Sequence, residues 1–151
     1  MTEAATSSIG DGPTREGGGL GPQTIERIEN GLITAFAITG TIVIAPNLWW
    51  FPLAVFLAFD LSAAGYLRSP ATGALWYNAI HTHAWPAALG VIALVASTSS
   101  PTLSRWLALV AFAWALHVGV DRLLGYGLKL PDAFTHTHLG WIGKDRGRGL
   151  R

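Results

Sequence analysis

Asp60, His81, His83, His117 and Asp121 lie in stretches of chain otherwise fit for hydrocarbon, with Asn78 as a neutral companion. Inside a bilayer each ionisable group costs roughly 2.5–3.5 kcal/mol on insertion scales, so each needs a reason to be there. His117 and Asp121 are spaced i,i+4 and share a helix face, and Asn78 and His81, spaced i,i+3, share another. Imidazole nitrogens and carboxylate oxygens gathered from several helices make a donor set for zinc or another divalent metal. Such a centre would activate water, with a spare carboxylate (Asp60 or Asp121) as the catalytic base, which is hydrolase-like chemistry. The expected ligands are His81, His117, Asp121 and Asp60, with His138 of the C-terminal segment as a further imidazole and Asn78 and Arg122 as supporting polar groups. No local signature of the H-E-x-x-H kind accompanies them.

The same residues have other readings. Buried His–Asp and Asn–His pairs also hold membrane helices together, at roughly 0.6–2 kcal/mol each. A proton or small-solute path is a third use, and a chain this short would have to form a homo-oligomer to make one. Against transport, the outer halves of the hydrophobic runs (IVIA, WWF, ALGVIALVA) carry almost nothing polar. His81 and His117 could also face each other across a haem, although acidic neighbours suit a macrocycle poorly. His83 and His136 look incidental, because alternate residues on a helix diverge by about 200°. Arg122 and Lys129 read as interfacial anchors.

The elements that must position these groups follow from composition. Only 13% of residues are charged, against about 25% in ordinary soluble domains. Between Leu32 and Leu116 the formal charges are Asp60, Arg68 and Arg105 alone. A soluble surface could not be covered so sparsely, whereas a lipid-facing one can. The net charge of +1 gives no basic face for nucleic acid, and the absence of cysteine excludes thiolate metal sites and disulfides.

Four apolar runs punctuated by Pro46-Asn47, Arg68-Ser69-Pro70 and STSSPT predict an all-α integral membrane four-helix bundle. Residues 1–22, rich in Gly, Ser and Thr, read as a disordered tail. Residues 23–143 form the transmembrane domain, with Thr24 as the first N-cap, and 144–151 a basic C-terminal end. Pro86 predicts a kink in the third run, and Gly125-Tyr126-Gly127 a helix stop. The segment after it, with Tyr126, Phe134 and Trp141, reads as ordered and interfacial, so that Thr135–His138 could fold back over the mouth of the bundle. No run alternates as a barrel strand would. Measured from the ends of their helices, Asp60, Asn78 and His117 fall at one depth, roughly 10 Å in at 1.5 Å per residue. Arg27, Arg68 and the cluster from Arg122 to Arg151 lie on one side of the four-span topology and Arg105 on the other. That distribution predicts an inner-membrane, multi-pass protein with both termini cytoplasmic, whose first partner is the lipid bilayer.

The blocks RIEN (Arg27–Asn30), FDLSAAGYL (Phe59–Leu67), YNAIHT (Tyr77–Thr82), HVGVDRLLGYGLK (His117–Lys129) and THLG (Thr137–Gly140) together resemble a bacterial membrane-protein family catalogued as domain of unknown function 4260. The resemblance spans about Ile25 to Gly143. It implies a compact helical membrane protein and brings no activity, substrate or cofactor. Asp60, Asn78, His81, His117, Asp121, Arg122 and His138 fall on its motif positions, His83 and His136 do not, and Phe59 stands where the family pattern has proline.

Overall fold

The computed structural model describes residues 20–150; the tail expected over residues 1–22 lies outside them as far as Gly19. Among the described residues, four segments are long and apolar enough to cross a membrane: Pro22–Ile44, Pro46–Leu67, Pro70–Ala96 and Pro101–Leu124. The expected all-α membrane bundle is what the chain forms.

Helix α1 (Pro22–Ile44) opens on Gly21, with Pro22 in the first turn rather than Thr24 as cap. Proline suits that position because its missing N–H would have had no intrahelical partner. The hydroxyls of Thr34 and Thr41 donate back to the carbonyls of Asn30 and Ala37 at 2.8 and 2.9 Å. The helix can therefore carry them without exposing an unpaired donor to lipid.

The second span is not the regular helix its composition suggests. It runs through a 3₁₀ turn (Pro46–Leu48), a short helix α2 (Phe51–Ala54) and a 3₁₀ segment (Phe56–Leu67). At about 2.0 Å rise per residue the last of these covers about 24 Å, and it carries Asp60.

The third span is broken. Helix α3 (Pro70–Ile80) ends at His81, and α4 (Ala84–Ala96) begins after His83. The break precedes Pro86, where the kink was expected, for a steric reason: a helical proline clashes with the carbonyl four residues back, here that of Thr82. Breaking the ladder frees the carbonyls of Ala79, Ile80 and His81. They are taken up by Trp85 Nε1 at 2.7 Å, Trp114 Nε1 at 2.8 Å and Arg122 Nη2 at 3.2 Å.

Helix α5 (Pro101–Leu124) is the central one, burying Leu109, Ala113, His117 and Val118. Helices α1, α2 and α4 pack on it, while α3 packs on the 3₁₀ segment Phe56–Leu67. It crosses α1 closely at Gly119, where a Cβ would come within 2.7 Å of Thr34 Oγ1 and 3.2 Å of the Asn30 carbonyl. It stops at Gly125, left-handed at φ 92°, as the glycine pattern predicted. Beyond it the chain returns to the bundle as a two-stranded hairpin that the sequence did not suggest, β1 (His136–Thr137) against β2 (Gly140–Trp141). Gln23 of α1 donates to the Leu139 carbonyl at 3.2 Å.

Candidate metal centre

Asp60 from the 3₁₀ segment, His81 from the break, and His117 and Asp121 from α5 converge on one point. One ligand atom from each lies within 4.8 Å of every other. His81 Nε2 is 3.5 Å from Asp60 Oδ1 and 3.5 Å from Asp121 Oδ2. His117 Nε2 is 3.7 Å and 4.0 Å from the same oxygens, and the two Nε2 atoms are 3.0 Å apart. Donors held at 2.0–2.2 Å from a tetrahedral zinc ion lie about 3.3–3.6 Å from one another. The His–His and His–Asp separations of 3.0–4.0 Å bracket that spacing, and with every pair within 4.8 Å the quartet closes on such an ion by shifts of no more than about 1.2 Å. The two imidazoles touch, leaving no room for a haem between them.

The break in the third span is what aims His81. Its Nδ1 lies 2.9 Å from the Tyr77 carbonyl, an acceptor, so the ring proton sits on Nδ1. The lone pair on Nε2 then points at the other three groups, the tautomer a metal ligand needs. The Tyr77 ring stacks on His81 with centroids 3.6 Å apart, and its hydroxyl donates to Asp121 Oδ2 at 2.8 Å. His117 is enclosed by Phe56 and Phe59, with centroids at 4.6 and 5.3 Å. Phe59 also stacks on Trp114, which gives the residue at the family's proline position a packing role. The imidazoles are 2% and 0% exposed, whereas the Asp60 side chain is 42% exposed. The site is thus a dry floor with one carboxylate at its open edge.

Other residues singled out by the sequence lie elsewhere. Asn78 clamps the returning chain, donating to the Lys129 carbonyl at 2.9 Å and accepting from the Lys129 N–H at 2.7 Å. His138 Nδ1 accepts from the Leu128 N–H at 2.9 Å, while its Nε2 is 3.6 Å from Glu26 and 3.5 Å from Arg122. His83 bonds Asn30 Oδ1 at 2.8 Å, and His136 pairs with Asp132 and stacks on Trp141. Arg122 and Lys129 are not snorkelling anchors, because both are buried. The Lys129 ammonium lies 4.1 Å from the Phe134 ring centroid and 5.0 Å from that of Tyr77. Burial pushes its pKa down to about 8, against the opposing pull of Asp121 and Asp60.

Sequence reading missed Tyr77 as a supporting residue, although it stands i−4 from His81, the spacing that shares a helix face. It also missed the aromatic wall around His117, because Phe56 and Phe59 belong to a segment whose 3₁₀ winding was not expected.

A family model described as a domain of unknown function (DUF4260) matches residues 23–142. No curated protein and no solved structure matches the chain.

Proposed function

The chain belongs to the DUF4260 family, and from that premise we propose that this membrane protein binds one divalent metal ion, best matched by zinc, through Asp60, His81, His117 and Asp121. The observation that carries the proposal is the convergence of four ligand atoms, drawn from three separate segments, within 4.8 Å of one another. Two carboxylates so close inside a low-dielectric bundle repel, and a dication with two neutral imidazoles brings the group to neutrality. A zinc ion with four protein ligands is closed and structural, whereas a catalytic one keeps a position for water. Asp60, at the edge of the site that protein leaves uncovered, is the ligand whose release would open such a position. Bound metal supplies a Lewis acid and a water of lowered pKa, and Asp60 is the carboxylate free to move aside and accept that water's proton. The reaction class we propose is hydrolysis at a site set within the membrane-spanning segments. The positive residues flanking the spans orient both termini toward the cytoplasm.

A second reading, polar packing without a metal, has its own support. His117 Nε2–H can donate to His81 Nε2 at 3.0 Å, and Tyr77 already satisfies one oxygen of Asp121. His117 Nδ1 is buried without a hydrogen-bond partner. That is less costly for a bare lone pair than for the N–H that ligation through Nε2 would put there.

Elemental analysis of detergent-purified protein separates the two. We expect about one zinc per chain in the wild type and in His138→Ala, and loss of the metal in His81→Ala and His117→Ala. Equal trace metal in all four proteins would leave only the packing role.

A further inference from the structure

We propose that the groove between α1 and α4, together with the polar cleft it runs into, binds one zwitterionic phospholipid, with an acyl chain in the groove and the headgroup in the cleft. Helices α1 and α4 make their principal contacts with α5, leaving between them a cavity of about 580 Å³ lined by residues such as Phe36, Ala87, Gly90, Ala108 and Ala115. It lies within the membrane-spanning segments, where the solvent is lipid. Helix α4, with 13 residues, runs about 20 Å, longer than the ~15 Å depth of one leaflet's hydrocarbon. Small residues (Ala87, Gly90, Ala93, Ala108, Ala111 and Ala115) leave the space, and the remaining lining is mostly apolar, as an acyl chain requires.

What separates this groove from ordinary lipid-facing surface is its end. His83 lines it and also lines a second cavity of about 650 Å³. That cleft carries the polar side chains of Glu26, Glu29, Asn30, Arg122 and His138 among apolar ones such as Ile25 and Leu128. Arg122 is held there by the His81 carbonyl at 3.2 Å, and its contacts with Glu26 and His138 are 3.5 Å long. A guanidinium has five N–H donors, so this one retains capacity for a phosphate oxygen, and a charge-assisted bond of that kind is strong. Glu26 and Glu29 lie one helical turn apart on α1, suited to a primary ammonium. One guanidinium against two carboxylates makes the cleft a match for a phosphate–amine headgroup and a poor one for an anionic headgroup. A second apolar groove, about 490 Å³ beside Thr41, Leu53 and Phe56, is lined by no charged residue and serves as the internal control. None of the four convergent ligands lines any of these three cavities, so loss of metal and loss of lipid are separate outcomes.

The test is native mass spectrometry of delipidated protein titrated with phosphatidylethanolamine, phosphatidylglycerol or diacylglycerol of matched chains. We expect one phosphatidylethanolamine bound per chain in preference to the other two. A Cβ at Gly90 meets no atom within 4 Å, so Gly90→Leu should fold while its side chain occupies the groove. It should weaken binding about tenfold, the equivalent of about two methylene contacts. Leu53→Phe, in the control groove, should leave binding unchanged, and Glu29→Gln should abolish the preference over phosphatidylglycerol. Undiminished binding by Gly90→Leu with an unchanged melting temperature would remove the groove. Equal binding of all three lipids by the wild type would remove the cleft as a headgroup site.

Discussion

Tyr77 shows how much one side chain settles at this centre. Its carbonyl fixes the His81 proton on Nδ1, its ring lies flat on the imidazole, and its hydroxyl holds Asp121. Outer contacts of this kind typically govern 10–100-fold in metal affinity. Tyr77→Phe keeps the ring and the carbonyl and loses only the hydroxyl. We therefore expect zinc affinity, measured by competition with a chromophoric chelator, to fall roughly 10–100-fold with little change in fold. An affinity equal to wild type would mean that the hydroxyl does not orient Asp121 toward a metal. At this scale the sequence was legible where spacing speaks: His117 and Asp121 had to share a face. It grouped Asn78 and His138 with the ligands, whereas the returning C-terminal chain gives Asn78 to Lys129 and carries His138 to Leu128, Glu26 and Arg122.

The decisive element is the broken third span. Pro86 made an interruption expected, but where the backbone gives way is set by the clash at Thr82 and by which side chains can cover the freed carbonyls. Two indoles and a guanidinium do so, and two of those three come from α5. The break is thus stabilised by tertiary contacts on the helix that also supplies His117 and Asp121. The crossing of α1 over α5 is equally demanding. Gly119→Ala would drive a methyl against Thr34 Oγ1 and the Asn30 carbonyl, and overpacking of this kind costs typically 1–3 kcal/mol. We expect a lowered thermal unfolding midpoint in detergent for Gly119→Ala. An unchanged midpoint would show that the two helices can slide apart without loss.

For the whole molecule, large apolar side chains such as Phe36, Val43, Leu57, Leu61, Leu94 and Val95 are exposed along the first three spans. Together they make a belt far larger than soluble monomers present to water, and hydrocarbon is the medium it fits. An even number of spans puts both ends of the described chain on one side. Because the chain has no cysteine, single introduced thiols report sidedness without background. Ser99→Cys, in the turn near Arg105, should react with an impermeant maleimide on intact cells. Lys144→Cys should react only after the membrane is opened. The reverse pattern would invert the orientation inferred from the positive residues.

The sequence by itself determined the medium, the number of spans and the stop at Gly125. Each is written in local composition: runs without charge, prolines and glycines between them, and one residue able to turn left-handed. It also marked the ionisable residues that hydrocarbon would not tolerate without partners. Only the tertiary structure decided which of them meet. Asp60, His81, His117 and Asp121 converge because a 3₁₀ segment, a broken helix and a central helix meet at one level. Asn78 and His138 are drawn instead to the backbone of the returning chain at Lys129 and Leu128. Local propensity sets the path of each segment, but the direction of a side chain across a bundle depends on winding, breaks and packing that no single segment encodes.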